Sequence, residues 1–541
     1  MIQPRRCLAS VLIGFSLLGG PGLLGATYYV DAAGGNDANP GTDPKGAWRG
    51  LGKVNATVFQ PGDRILLRAG TTYPGQLSPQ GSGKEGQPIV IDRYGDGAKP
   101  VIDGGGAADD GGFYGKQGKT GNVVYLLNQE HWEISNLEIV NRGEKADYRR
   151  GVRVELTDMG VCHHIHLKNL YIHDVNGLNK SKGKEHHELS KQTGGIFLCV
   201  TGDDRKTRFS DVLIEGCTVR NCDRSGISVG ARKHWYPEWN KLIEPALVDT
   251  LLHQDVVIRN NAIDDVGGDG IVVQYCKSPL VEHNVCKDAA KRSHAQGQYS
   301  AGIWPWMCED ALFQYNEVYN TRSRLDGQGF DCDSSRGTVY QYNYSHDNEG
   351  GFMLFCQGSS VGSVVRYNVS QNDRFVLFTN SGGTAQVYNN VFYIGPGLDT
   401  DVNFPGAAGS MRIYNNIFYN EGTRKSPKWG PYAYDSNAYF GFDTQPNDPR
   451  KLVADPKLAA PGKAEARATT PLATLPLRLA VPDAYRLLPD SPCINRGRFI
   501  GLGKEAGETD AWGQRLYNGA PDIGAFEDTA KPYEAVKPFL P

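Results

Sequence analysis

From about residue 130 onward, short runs of alternating apolar and polar residues, rich in β-branched side chains, are cut at intervals by Asn and Gly. One unit recurs: a β-branched strand, an Asn, three residues, an Asp or Asn, then a strand opened by Gly. The Asn positions are Asn261, Asn284, Asn316, Asn343 and Asn368, at spacings of 23, 32, 27 and 25 residues. Each is followed four residues later by Asp265, Asp288, Asn320, Asp347 or Asn372. Further copies surround Asn390 (VYNNVFY) and Asn416 (IYNNIFY), and earlier ones run through WEISNLEIV, IHLKNLYIHDV and VLIEGCTVRNC. Helical repeats would show apolar residues at three-and-four spacing over longer stretches, and propeller blades are longer than this period. The pattern predicts an all-β solenoid, a coil of parallel strands stacked along one axis.

The repeated Asn has a local reason. At a bend between strands Asn tolerates left-handed backbone angles, its amide can bond the turn, and stacked copies can bond each other. The whole series therefore reads as structural. The Gly-opened strands are more informative: GIFLC from Gly195, GISVG from Gly226, GIVVQ from Gly270, GIWPW from Gly302, GFDCD from Gly329 and GFMLF from Gly351, with RFVLF from Arg374 continuing the series. Side chains alternate across a strand, so the apolar second and fourth positions (Ile271 and Val273, Phe330 and Cys332, Phe352 and Leu354) are expected to face the core. The third and fifth positions then face outward: Val272 and Gln274, Trp304 and Trp306, Asp331 and Asp333, Met353 and Phe355.

Here the chain resembles a known group, the right-handed parallel β-helix proteins that act on polysaccharides. TYYVDAAGGNDANPGTDPKGAWRGLGKVNATVFQPGDRILLRAGTTY is similar to the entry segment of the group's pectate-lyase-like and glycosidase-like branches. GKEGQPIVIDRYGDGAKPVIDGGG resembles their first full coils, and SPCINRGRF with PDIGAFE their closing segment. DGQGFDCDSSRGTVYQYNYSHDNEGGFMLFC resembles segments of bacterial β-helix glycosidases that cleave fucan, fucoside or xylan polymers. The resemblance implies a right-handed parallel β-helix with inserted loops on one face. It specifies chemistry less closely, because the scaffold hosts hydrolases, lyases, esterases and adhesins. On this reading residues 1–26 are a signal peptide, 27–120 an N-terminal cap with the first coils, 121–420 the central solenoid, and 421–541 the C-terminal coils and a capping tail.

Composition changes the picture at two points. With 57 basic and 60 acidic residues the formal net charge is −3, which offers no broad basic field for nucleic acid. The start of the chain, with Arg5, Arg6, the apolar run LASVLIGFSLL and a small-residue exit at Ala26, reads as a secretory signal, so a secreted or periplasmic protein without a membrane span is expected. Export permits disulfides among the Cys residues beyond Cys7, but many sit inside apolar strand patterns, where buried thiols fit equally well. No paired C-x-x-C spacing points to zinc, and no cofactor is expected.

The outer column carries the candidate chemistry. Trp304 and Trp306 beside Asp331 and Asp333, on neighbouring coils, would form a sugar-stacking platform next to an acid pair. Inserted loops covering the rings would instead make them a secondary core. Segments 175–193, 231–254 and 288–300 interrupt the period here and would build the walls of a groove. Glycoside cleavage needs one carboxyl to donate a proton and another to act as base or nucleophile, and Asp331 and Asp333 are the candidate pair, with Asp269 and Glu349 on flanking coils. The same pair could hold calcium with hard oxygen ligands. Gln274, Arg292, His294, Phe355 and Arg374 join the two tryptophans as candidate substrate contacts, while Asp326 opens the turn DGQG and reads as a turn residue. The leading expectation is an exported glycoside hydrolase with a polysaccharide substrate. One alternative is a uronic-acid lyase using Lys277, Lys287 or Lys291 as base with calcium at Asp264, Asp265 and Asp269; the other is a non-catalytic binding solenoid.

Overall fold

A computed structural model describes residues 25–108, 120–179, 193–231, 242–295, 299–323, 325–404, 408–466, 482–499, 510 and 520–528. Residues 1–24, which hold most of the expected signal peptide, lie outside them, as does most of the 175–193 insertion. The chain winds through three faces of parallel strands. One coil runs from Arg150–Thr157 on the third face through Val161–Lys168 on the first to Tyr171–Val175 on the second, and the next begins at Gly194–Thr201. The coil opens where Thr27–Val30 pairs with Arg64–Arg68, and the last pairing is that of Ala438–Phe440 with Leu452–Val453. All the strand pairings between these points are parallel, which gives the all-β parallel β-helix that the repeat predicts.

The core is the inside of this tube. Along the first face Ile91, Ile134, Leu167, Ile214 and Ile258 stack in register, each fully buried. Removing such a column from water contributes about 2 kcal/mol per side chain. The Gly-opened strands explain their glycines: at Gly302 a Cβ would lie 2.4 Å from both the Gly329 carbonyl and Val318, so no side chain fits.

The Asn ladder forms as a continuous wire. The backbone N–H and side-chain amide of Asn261 both donate to Asn284, and the pattern repeats through Asn316, Asn343, Asn368, Asn390, Asn416 and Asn437. It ends on the carboxylate of Asp448, which accepts both donors of Asn437. Left-handed angles do occur at the bend, but one residue earlier than expected: Asn260, His283, Tyr315, Tyr342 and Tyr367 have φ between 52° and 57°. The ladder Asn supplies the hydrogen bonds and its predecessor makes the turn.

One strand departs from the aligned series. Gly351 has φ of 122°, and a Cβ there would meet the Val376 carbonyl; it lies opposite Gln328 rather than Gly329, so the whole strand pairs one residue off the aligned series, with Phe330 opposite Met353 and Cys332 opposite Phe355. Met353 and Phe355 therefore point into the core, Leu354 takes the outward position beside Asp331, and Phe355 is no substrate contact. Phe352 is also buried, against Phe330, Phe378 and Phe392. Near the end of the chain Tyr485, Cys493, Ile494, Ile523 and Ala525 pack along the outside of the tube on a row that includes Tyr367, Tyr388 and Tyr414. Ten cysteines lie in the described residues, all free thiols and all buried except the half-buried Cys356.

Candidate functional site

The outward column of the third face runs, by register, through Tyr125, Arg153, Phe197, Ser228, Val272, Trp304, Asp331, Leu354 and Thr379. Its tryptophans are not open to solvent. Trp304 and Trp306 are 4% and 2% exposed, packed with Val272, Tyr275 and Met307 under Val248, Leu251 and Leu252. Those three belong to the short helix Val248–Leu251 and the residue after it, within the expected wall. The aromatic platform expected from the sequence is thus a secondary core, because the insertion presents an apolar face to the rings. Gln274 is buried with them and donates to Ser228 at 3.3 Å.

Asp269 is likewise an internal group. Fully buried, it lies 3.2 Å from the Arg224 guanidinium and accepts from Trp304 Nε1 at 3.1 Å and from the Ala301 backbone at 3.2 Å. Arg224 also grips the Ser300 hydroxyl, so this ion pair holds the 299–301 segment. Arg292 is equally committed, bonded to Asp223, to Asp265 at 2.8 Å and to the Cys222 carbonyl at 3.1 Å, and these carboxylates raise its pKa against the opposing effect of burial. The His294 side chain lies outside the described residues. Arg374 is exposed, 4.0 Å from Asp347. All three lysines of the lyase reading are in ion pairs, Lys277 with Asp249 at 2.5 Å, Lys287 with Asp264 at 3.7 Å and Lys291 with Asp265 at 3.6 Å, which leaves none of them poised as a free base.

What remains at the surface of the column is acidic. Asp331 is 4% exposed, between Trp304 and Leu354, whereas Asp333 is half-buried at the strand end, opposite Cys356 on the next coil, and accepts from Ser334 at 2.9 Å. A third carboxylate joins them. Asp326 is half-buried, with φ of 60°, and bridges to Ser300 in parallel. Burial pushes the Cys356 thiol up, and Asp333, Asp331 and Asp326 each push it further. Asp326 stands in a turn, as the sequence predicts, and that turn opens onto the strand carrying Asp331 and Asp333, which brings three acids together within LDGQGFDCD.

The turn that carries Asp326 is held from below. Gly327, at φ of 80°, donates to the Ser300 carbonyl at 2.7 Å and accepts the Thr321 hydroxyl at 2.6 Å. The Thr321 backbone donates to Asn348 at 3.1 Å, and the Asn348 amide donates to Asp373 at 2.8 Å. Asp373 is buried and also accepts from Ser345 and Ser370, both at 2.7 Å. Its carboxyl is pushed up to about 6 by desolvation, which those hydrogen bonds oppose. Glu349 lies half-buried on the same tier, its backbone donating to Thr321 at 3.0 Å. Exposed aromatics do exist on this face, but elsewhere than expected: Phe375 and Phe404 are 40% and 42% exposed with ring centroids 5.9 Å apart. Phe404 bonds through its backbone to the Phe378 carbonyl, so it continues the column one coil beyond Thr379.

Comparison with known proteins agrees with this architecture. A family model described as a right-handed beta helix region matches residues 199–392. A lacto-N-biosidase of Bifidobacterium longum subsp. longum is 32% identical over 585 aligned residues, which cover 93% of this chain and 36% of that protein. The chain thus spans about a third of the length of that curated relative. The crystal structure of a GH136 lacto-N-biosidase from Eubacterium ramulus superposes with a TM-score of 0.62 at 32% identity, covering 73% of this chain and 67% of that one, and its native form gives 0.61. With that identity over two thirds of a solved relative, on the same parallel coil, the chain belongs to the GH136 family of glycoside hydrolases.

Proposed function

We propose that this protein is an exported glycosidase acting on lacto-N-biosides, with Asp326 and Asp333 as the acid and base or nucleophile of the cleavage. The grouping of three carboxylates on one strand and at its mouth carries the reading: Asp331 and Asp333 lie on Gln328–Asp333 and Asp326 just before it, and of these Asp326 and Asp333 reach solvent while Asp331 is buried. One carboxyl protonates the leaving oxygen, and the other meets the positive charge that develops at the sugar. Asp331, behind them, adds negative charge toward an oxocarbenium-like centre. Phe375 and Phe404 supply the apolar face on which a sugar ring can stack. The substrate class follows the names of the relatives, in place of the fucan- or xylan-type polymer expected from the sequence.

The test is release of p-nitrophenol from p-nitrophenyl lacto-N-bioside by the purified chain. Turnover by the wild type, with losses of about 10³-fold in Asp326→Asn and in Asp333→Asn at unchanged circular dichroism, is the expected result. Full activity in both variants overturns the assignment of the pair. Turnover of fucan or xylan but not of this substrate overturns the substrate class, and unsaturated products released from a uronic-acid polymer, detected by ultraviolet absorbance, would replace hydrolysis by elimination.

A further inference from the structure

On the first face, away from the carboxylate site, four polar side chains from three consecutive coils converge: Glu133 on Trp132–Ser135, His164 and His166 on Val161–Lys168, and Asp211 on Arg208–Glu215. Register brings His166 directly opposite Glu133. His164 and Asp211 are both skipped in the pairing, with φ of 58° and 59°, so each bulges out of its strand on top of the other. The result is close packing of ligand-type atoms. His164 Nδ1 is 2.7 Å from Asp211 and its Nε2 is 3.1 Å from Glu133, while His166 Nε2 is 2.8 Å from the other oxygen of Asp211. The two imidazole rings lie 3.8 Å apart, and one ligand atom from each of Glu133, His164 and His166 falls within 4.8 Å of the others. None of the four takes part in the chemistry proposed above.

We propose that Glu133, His164 and His166 bind a divalent transition ion of the zinc class, with Asp211 orienting His164. His164 presents Nδ1 to Asp211 at 2.7 Å and Nε2 to Glu133 at 3.1 Å, so its second nitrogen and a carboxylate oxygen face one another at the point where the ion would sit. Two imidazoles with one carboxylate form a borderline donor set that suits zinc, nickel or copper better than calcium or magnesium. A carboxylate on the far nitrogen of a ligating histidine is the usual outer support of such a site. Lys168, 3.0 Å from the second oxygen of Glu133, offsets one of the two negative charges and leaves the first oxygen to the metal. A pocket of about 580 Å³ opens beside the cluster, lined in part by Glu85, Pro88, His131 and His163, and gives the ion a path in and room for a water in the fourth position. Because its ligands come from adjacent coils, the ion ties those coils together.

The site is tested by isothermal titration of ZnCl₂ into the untagged, chelator-stripped full chain, alongside thermal unfolding with and without zinc. Saturable binding of one strong equivalent and a raised melting temperature are expected for the wild type. His164→Ala, His166→Ala and Glu133→Gln should each weaken that equivalent at least tenfold and abolish the thermal shift, and Asp211→Asn should weaken it by about tenfold. Should an alanine variant fail to fold, Glu133→Gln and Asp211→Asn, which preserve shape, decide the matter. Absence of saturable zinc binding by the wild type overturns the site, as does wild-type affinity in the folded variants. The readout is metal binding, so neither result bears on the glycosidase reading.

Discussion

Asp326 and Asp333 differ from Asp331 in one property, access to solvent. Asp331→Asn should therefore lower turnover less than either neighbour, by about tenfold, with KM unchanged, because it acts through its charge rather than by touching the leaving group; steady-state kinetics on the aryl lacto-N-bioside reads this difference. Phe404→Ala removes a stacking face only and should raise KM several-fold with little change in kcat, by the same assay. Asp373 shows how a residue beneath the site is coupled to pH. Its folded pKa of about 6 stands above the ordinary value near 4, so the folded state holds this proton more tightly than the unfolded state does. The stability it contributes is full below about pH 4 and is lost as pH rises through about 6, a change of about 3 kcal/mol. Asp522, raised to about 6 chiefly by burial, acts in the same direction. Urea unfolding across this range should show a falling stability in the wild type and a shallower fall in Asp373→Asn.

Among the elements, the Asn wire is the most exposed to single substitutions. Asn316 accepts two donors from Asn284 and sends two to Asn343 and one to the Val281 carbonyl, all out of water. Asn316→Ala strands these groups and should cost about 3 kcal/mol, visible as a lower urea midpoint. The ion pair under the 299–301 segment is a second such point. Asp269→Asn leaves the Arg224 guanidinium buried with its charge uncompensated, and a loss of about 3–5 kcal/mol in chemical denaturation is expected. Because that segment bridges to Asp326 through Ser300, activity in the folded fraction should fall as well. The helix Val248–Leu251 explains the fate of the two tryptophans at this scale: an insertion long enough to fold back brought its own apolar residues onto the two rings.

At the scale of the whole molecule, one core runs the length of the tube, and no crosslink appears among the described residues to hold it together. A thiol reagent should therefore react with almost none of the ten described cysteines in the native protein and with all of them after denaturation, and a reductant should leave the melting temperature unchanged. The repeat alone determined the solenoid, the parallel strands, the Asn wire and the inward column, because each of these follows from a period and from alternation along a strand. It also brought Asp331 and Asp333 to the outward side of one strand. Tertiary structure decided the rest. Whether an outward side chain meets water or a folded-back insertion depends on residues far away in the chain, and so Trp304, Trp306, Gln274 and Asp269 became interior groups. The strand from Gly351 pairs with Gln328 rather than with Gly329, and that one-residue offset sent Phe355 inward. The histidines reached Glu133 only because the coil stacks segments that the sequence holds apart.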